Sequence, residues 1–184
     1  MDKVFLLHAR AQSGKNTCAN LMKEYYEQKG KRVIIIAFAD YVKFTLEKYY
    51  NITDFKTPEG RSRIQHYATE QIRDGYNKTF WAELVANYLD AIQKDFDIAI
   101  VPDWRFENEY AMIKLHFHDK TIPVLITRPD IDIVDNMTTE QRSHRSETEL
   151  DNFKNFSYNI INDNIDETYN QLVFMMEMEE AIYL

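Results

Sequence analysis

The sequence predicts an α/β fold built on a five-stranded parallel sheet with helices on both faces. Three observations carry this. Short apolar runs recur along the chain at 3–7, 32–38, 97–102, 122–127 and 158–161, and such continuous runs mark strands buried on both faces. Helix-period segments separate them, which is the alternation of a parallel sheet. The first run passes directly into a glycine–lysine turn and then into an amphipathic helix.

The elements follow in order. Residues 3–7 (Lys-Val-Phe-Leu-Leu) read as a buried strand, and 16–29 as a helix whose apolar positions are Ala19, Leu21, Met22 and Tyr25 or Tyr26, with Gly30 as its stop. The stretch 32–38 contains Val-Ile-Ile-Ile-Ala, a β-branched run. Together these make a strand–helix–strand unit of about 35 residues, the length of one right-handed crossover. Three helices are predicted next, at 41–50, 59–73 and 79–94, with a loop at 51–58. A strand at 97–102, a helix at 107–117 and a strand at 122–127 follow. The segment 129–150 is polar, charged and aperiodic, and reads as mobile. A strand at 158–161 and a helix at 164–180 close the chain. The organisation expected is one domain over 1–184, with a helical insertion at about 41–96 and a lid at about 129–150.

Composition narrows the function classes. The chain has 184 residues, is 45% hydrophobic and 28% charged, and carries a formal net charge of -8. That balance argues against a nucleic-acid surface, which needs clustered Lys and Arg. No apolar run approaches the roughly 20 residues that cross a bilayer, so no membrane span is expected, and the N-terminal run is too short for a secretory signal. Cys18 is the single cysteine, so no internal disulfide and no cysteine-based metal site forms. A cytoplasmic location fits. Twelve Tyr and eleven Phe leave room for a self-association surface, such as that of a homodimer.

The chemistry centres on residues 9–17, Ala-Arg-Ala-Gln-Ser-Gly-Lys-Asn-Thr. The phosphate-loop pattern is G-x-x-x-x-G-K-[ST] between a strand and a helix. Gly14 and Lys15 match it, Ala9 replaces the first glycine, and Asn16 stands where the magnesium-binding hydroxyl is usual, followed by Thr17. The physical logic is kept. Backbone amides of Arg10, Ala11, Gln12, Ser13, Gly14 and Lys15 can wrap a phosphate chain at a helix N-terminus. Lys15 can reach the β and γ phosphates of ATP, Thr17 can donate to the α phosphate, and the Asn16 amide oxygen is a hard donor acceptable to Mg2+. A plain strand-to-helix turn would not need Gly14-Lys15 there. The fold class is therefore narrowed to a P-loop NTPase fold.

A second constellation follows the third strand, Val101-Pro102-Asp103-Trp104-Arg105-Phe106-Glu107-Asn108-Glu109. An Asp at the C-terminal end of an interior strand faces the crevice where ligands bind in open α/β sheets. Asp103 can hold a magnesium-bound water, directly or through Thr17, and Arg105 can reach a phosphate. The bland alternative is a helix cap with a surface arginine. A third set is cationic: Lys43, then Arg61, Arg63 and Arg73, then Arg128, Arg142 and Arg145. Each alone reads as a solvated charge. As a group they suit phosphoryl transfer, which needs cations on donor and acceptor.

These residues together resemble the phage-type deoxynucleoside monophosphate kinases, within the P-loop nucleoside monophosphate kinase group. The resemblance runs through nearly the whole chain. Gly-Lys-Asn-Thr at 14–17 is similar to that family's GK[DN]T loop, and Ala37-Phe38-Ala39-Asp40 with Lys43 to its FAD..K segment. Gln65, Thr69, Glu70 and Arg73 followed by Trp81 resemble its helical nucleotide-binding insertion. Asp103-x-Arg105-Phe106-x-Asn108-Glu109 is similar to its DxRFxNE signature, the most specific match. Arg128-Pro129, then Ser146-Glu147 and Leu150, then Asn162-Asp163 resemble the lid and base-binding end. Ala9 and Trp104 depart from the pattern, Ala9 by placing a methyl where the turn is tight.

The resemblance implies transfer of the ATP γ-phosphoryl group to a ribo- or deoxyribonucleoside monophosphate. ATP phosphates would sit on residues 10–17, with magnesium near Asn16, Thr17 and Asp103, and Asn162 near the adenine. The acceptor phosphate would meet Lys43, Arg73 and Arg105, in a substrate site that includes Asp40 and Asp103, with its base against Phe38 and Trp81. Arg142 or Arg145 would close over the transferring group. Two rival readings remain: a P-loop kinase for another small phosphorylated acceptor, of phosphomevalonate or dephospho-coenzyme A type, and a non-catalytic nucleotide-binding module.

Overall fold

The computed structural model describes residues 1–129 and 138–182. Five strands form one parallel sheet: β1 (Lys3–His8), β2 (Val33–Ile35), β3 (Ile98–Val101), β4 (Thr121–Thr127) and β5 (Tyr158–Ile161), in the spatial order β2-β3-β1-β4-β5. β1 is central. Its register sets Phe5 beside Ile100 on one side and Ile122 on the other. The loop that follows β1 therefore emerges at the middle of the sheet's C-terminal edge, where open α/β sheets bind ligands.

Strand alternation sorts the core into two layers. Phe5 and Leu7 point to one face, which α1 (Lys15–Gln28) and α8 (Ile165–Ala181) cover with Ala19, Met22, Leu172 and Met176. Val4 and Leu6 point to the other. There α2 (Phe38–Tyr50), α4 (Phe80–Ala91) and α5 (Glu107–Phe117) pack with Phe38, Val85, Leu89 and Ile113. Between α2 and α4 lie α3 (Pro58–Gln65) and a π-helical stretch, His66–Asp74. No helix among the described residues is long and apolar enough to cross a membrane.

Several boundaries differ from expectation, for identifiable reasons. The second strand stops at Ile35 rather than 38, and α2 begins at Phe38 rather than 41. The apolar run continues, but the Phe38 and Ala39 amides are taken by the Asp103 carboxylate at 2.8 and 2.9 Å, which starts a helix instead. The helix expected at 59–73 starts at Pro58, with the Thr57 side chain accepting the Gly60 amide at 3.1 Å, and from His66 it widens into π geometry. The aperiodic segment 129–150 was expected to be mobile. Residues 130–137 of it lie outside the described residues. The rest folds as α6 (Thr139–Ser143), α7 (Arg145–Thr148) and a 3-10 turn, Glu149–Asn152. Elements of four or five residues are too short to show a helical period, and here caps build them: Thr138 and Gln141 bond each other's backbone amides at 3.2 and 3.0 Å.

Ala9 and Trp104, the two departures from the motifs, both have a place in the core. The Ala9 methyl is buried in the layer beneath α1, and Ala9 is not among the residues with positive φ; Gln12 (61°) and Gly14 (80°) are. Glycine freedom is therefore required at 14, not at 9. A Cβ on Gly14 would also lie 2.1 Å from the Asn162 Nδ2 atom. Trp104 is fully buried, packs on Tyr110, Phe153 and Phe156, and donates its indole N–H to the Phe106 carbonyl at 2.8 Å. Restoring the usual glycine, Ala9→Gly, removes a buried methyl and frees the unfolded backbone. It is expected to cost about 1–2 kcal/mol in urea unfolding with no gain in nucleotide affinity by calorimetry.

Candidate active site

A cleft of about 640 Å³ opens at the C-terminal edge of the sheet, within the size range of small-molecule sites. One wall is the phosphate loop, contributing Ala11, Gln12, Lys15 and Asn16. Gly14, left-handed, ends the loop and caps α1, whose first bond runs from the Cys18 amide to the Gly14 carbonyl at 3.0 Å. The amides of Ala11, Gln12, Lys15 and Asn16 have no protein acceptor among the described residues. They form an open anion nest at a helix N-terminus. Lys15 likewise makes no hydrogen bond or ion pair among the described residues. Loss of water in the cleft, with repulsion from Arg105, pushes its pKa down to about 8.

The loop is braced from two sides. Asn162, at the end of β5, donates to the Ser13 carbonyl at 2.7 Å and accepts from Thr168 of α8 at 3.0 Å. Arg10 turns outward and pairs with Asp151 at 3.0 Å. Among the residues expected to hold ATP, Arg10, Ser13, Gly14, Thr17 and Asn162 shape or flank the loop without lining the cleft. Thr17 is exposed on α1.

The second wall comes from the signature after β3, and each of its residues fastens a different element. Asp103 receives the first two amides of α2. Asp40 in turn accepts the Ala37 amide at 2.8 Å. Together they bring Phe38 and Lys43 onto the cleft. Phe106 lies under the Arg73 guanidinium, 3.8 Å from ring centroid to Cζ. Asn108 accepts from Arg73 at 2.6 Å and donates to the Lys78 carbonyl at 2.6 Å. Glu109 is wholly buried and accepts the Arg105 and Phe106 amides at 2.8 and 3.0 Å. Desolvation nevertheless pushes its carboxyl up to about 8. Arg105 lines the cleft, donating to the Ser146 carbonyl at 3.0 Å and pairing with Glu147.

The third wall is α3 with the turn that precedes it, the π-helical stretch and α4. It brings Phe55, Ile64, Ala68 and Trp81 against the cleft, together with the polar side chains of Arg61, Gln65 and Thr69. Trp81 is fixed by its indole N–H on the Ala68 carbonyl at 3.0 Å. Arg73 lines the cleft but is committed to protein partners: the Lys78 carbonyl at 3.2 Å, Asn108, and Glu149 at 3.5 Å. Arg61 has none among the described residues, and its Nη1 is buried without an acceptor. Arg142 and Arg145 do not line the cleft. Arg145 pairs with Glu149 at 2.5 Å and Asp74 at 3.6 Å.

The structure thus brings Lys15, Asn16, Phe38, Asp40, Lys43, Arg73, Trp81, Asp103 and Arg105 around one cavity. Sequence reasoning named Arg61 only within a group of cations, and Glu109 and Glu147 only within family motifs, without placing any of them on the cleft. Arg61 and Gln65, four residues apart on one helix face, were the available signal for the third wall. For a divalent ion, no group of three acidic, His or Cys side chains converges among the described residues. The donors on the cleft are Asn16 and Asp103. Each Asp103 oxygen keeps a second lone pair beyond its backbone bond. This set suits an ion that takes most of its ligands from phosphates and water, as magnesium does, and does not suit a resident protein-only site.

No protein-family model matches the chain, and no curated protein matches its sequence. Its fold, a five-stranded parallel sheet covered by helices on both faces, is shared with several solved kinases. The architecture is similar to a cysteine-to-alanine mutant of the APS kinase CysC of Mycobacterium tuberculosis, with 14% identity, 95% of this chain and 96% of that one covered, and a TM-score of 0.51. It is also similar to a sugar kinase from Janibacter sp. HTCC2649 (12% identity, 99% and 96% covered, TM-score 0.54) and to the shikimate kinase of Acinetobacter baumannii (12%, 100% and 96%, 0.50). The likeness is one of fold.

Glu109 supplies a test of the second wall. The folded protein holds a proton that the unfolded chain gives up above the ordinary value of 4.5. Stability is therefore expected to fall as pH rises from about 4.5 to about 8 and to level off above. Glu109→Gln keeps an oxygen for both amides and is expected to flatten that slope in denaturant titrations across this range.

Proposed function

We propose that this chain is an ATP-dependent kinase that transfers the γ-phosphoryl group to a nucleoside or deoxynucleoside monophosphate. One observation carries the choice of acceptor. Every carboxylate lining the cleft, Asp40, Asp103, Glu109 and Glu147, is already held by a donor. Lys15, Lys43 and Arg61 face the same cavity with no partner among the described residues. A hydroxyl acceptor needs a base to take its proton; Asp40, Asp103 and Glu147 are tied to donors, and Glu109 keeps its own proton up to about pH 8. An acceptor whose attacking oxygen is already anionic needs cations instead. The flat, partly aromatic wall of Phe38, Phe55 and Trp81, with Gln65 and Thr69 as polar groups, suits a nucleobase better than a flexible isoprenoid or pantetheine arm. The phosphomevalonate-type and dephospho-coenzyme A-type readings share the cations but not this fit.

The chain's part is positioning and charge neutralisation. The open amides of the loop hold the phosphate chain, and Lys15 reaches its β and γ groups. Lys43 and Arg61 hold the acceptor phosphate, with Arg105 between the two anions. Arg73 supports this wall through Asn108 and the Lys78 carbonyl. Asn16 and Asp103 would hold magnesium, mainly through water. When bound, that ion offsets charge on the β and γ phosphates. Asn162 acts on the loop rather than directly on the adenine. Arg142 or Arg145 reaches the transferring group only if the lid shifts. An apolar surface with Phe44, Tyr49 and Tyr50 exposed on α2 suits a homodimer contact, and sedimentation at high concentration decides it.

Lys15→Ala is expected to abolish monophosphate-dependent ADP production, and turnover at the wild-type rate would refute the assignment. Because the free amine titrates near 8 and phosphate binds its protonated form, ATP affinity is expected to fall by up to about tenfold per pH unit above that value. Lys15→Arg should remove this dependence. Arg61→Ala is expected to raise the acceptor KM by about ten- to a hundredfold while leaving ATP affinity within about twofold. Measured over a panel of all natural nucleoside monophosphates, with phosphomevalonate and dephospho-coenzyme A included, the same assay identifies the acceptor.

A further inference from the structure

Two acidic side chains of the segment 145–152 stand on two arginines that line the cleft. Glu147 pairs with Arg105, and Glu149 with Arg73 at 3.5 Å. Neither pair is a loose surface contact: side-chain exposures are 11% for Glu147, 17% for Glu149, 28% for Arg105 and 6% for Arg73. Glu149 faces away and also binds Arg145. Glu147 lines the cleft itself, and Lys15 feels its charge. A second bond, from Arg105 to the Ser146 carbonyl at 3.0 Å, fixes the lid turn to the same guanidinium. A carboxylate thus occupies an arginine that a phosphate would otherwise claim, in a cavity of matching charge.

We propose that Glu147 is a positioning residue that makes phosphoryl transfer conditional on the acceptor, by holding Arg105 until the acceptor phosphate displaces it. This rests on the kinase reading. In transfer, an acceptor phosphate oxygen forms a bond to the γ phosphorus as the bond to the β–γ bridging oxygen breaks, and ADP departs with that electron pair. Water attacking in the acceptor's place breaks the same bond and yields ADP, inorganic phosphate and a proton. Arg105 stabilises the charge in either event. The Glu147 carboxylate keeps Arg105 against ATP alone and yields when the acceptor's dianion adds its charge, since a ligand shifts such an exchange only by its differential affinity. Glu147 is therefore a determinant of specificity against water.

The test compares the wild type with E147Q and E147D in three readings: ATP hydrolysis without acceptor, transfer to the monophosphate panel, and ATP affinity by calorimetry. In E147Q the ratio of hydrolysis to transfer is expected to rise about tenfold and ATP to bind about three- to tenfold tighter. E147D keeps the charge on a shorter arm and is expected to fall between the two. If E147Q does not fold, E147D alone carries the prediction in the same direction. An unchanged ratio with unchanged affinity overturns the proposal. So does a parallel loss of hydrolysis, transfer and affinity, which is what a merely structural residue would give. If the wild type transfers to no monophosphate, the kinase reading fails separately. Tighter ATP binding by E147Q would then still uphold the hold on Arg105, and equal or weaker binding would overturn it.

Discussion

The two hydrogen bonds from the Phe38 and Ala39 amides to the Asp103 carboxylate are the constraint on which the site depends. They join the end of β3 to the start of α2 across 65 and 64 positions of chain. A charged acceptor on the first amides of a helix both satisfies orphan donors and opposes the helix dipole. The bonds end β2 early, set the entry angle of α2, and so decide where Phe38 and Lys43 stand. Without them the cleft would have a phosphate loop but no facing wall.

The remaining signature residues extend the same principle. Phe106 and Asn108 hold Arg73, Glu109 holds the amides of Arg105 and Phe106, and Trp104 anchors the strand end among Tyr110, Phe153 and Phe156. The carboxylates are thereby used up in architecture, and a surplus of cations is left facing the cavity. That asymmetry, in a chain of net charge -8, shows that local arrangement and not overall charge sets which ligands a cleft accepts. Buried cations without partners are costly, which is why Lys15 is driven toward its neutral form and why an anionic ligand is the natural completion of the site.

The sheet, the order of elements and the phosphate loop were legible because each rests on short-range pattern. Apolar runs, a Gly-Lys turn and helix-length periods are written in neighbouring residues. The termini of β5 and α5 came out as expected, since in both the period breaks sharply. The end of β2 did not, because its apolar run continues past the point where Asp103 intervenes. The lid did not, because its helices of four and five residues are held by caps and ion pairs rather than by a buried stripe. The places of Arg61 and Glu147 on the cleft escaped for a related reason. An arginine or a glutamate in a polar stretch looks like solvated surface until its neighbours are known.

The sequence by itself determined that this is a parallel α/β protein with a glycine–lysine loop between its first strand and first helix, because backbone propensity and burial pattern act locally. It also marked Lys15, Asp103 and Arg105 as groups at the sheet's C-terminal edge. Only the tertiary structure decided what each of them does there. It turned Asp103 into a helix cap, spent Arg73 on Asn108 and Glu149, left Arg61 without a partner among the described residues and set Glu147 on Arg105. Those outcomes depend on which donors meet which acceptors across tens of residues, and on how far burial has stripped them of water. Neither is encoded in any short stretch of chain.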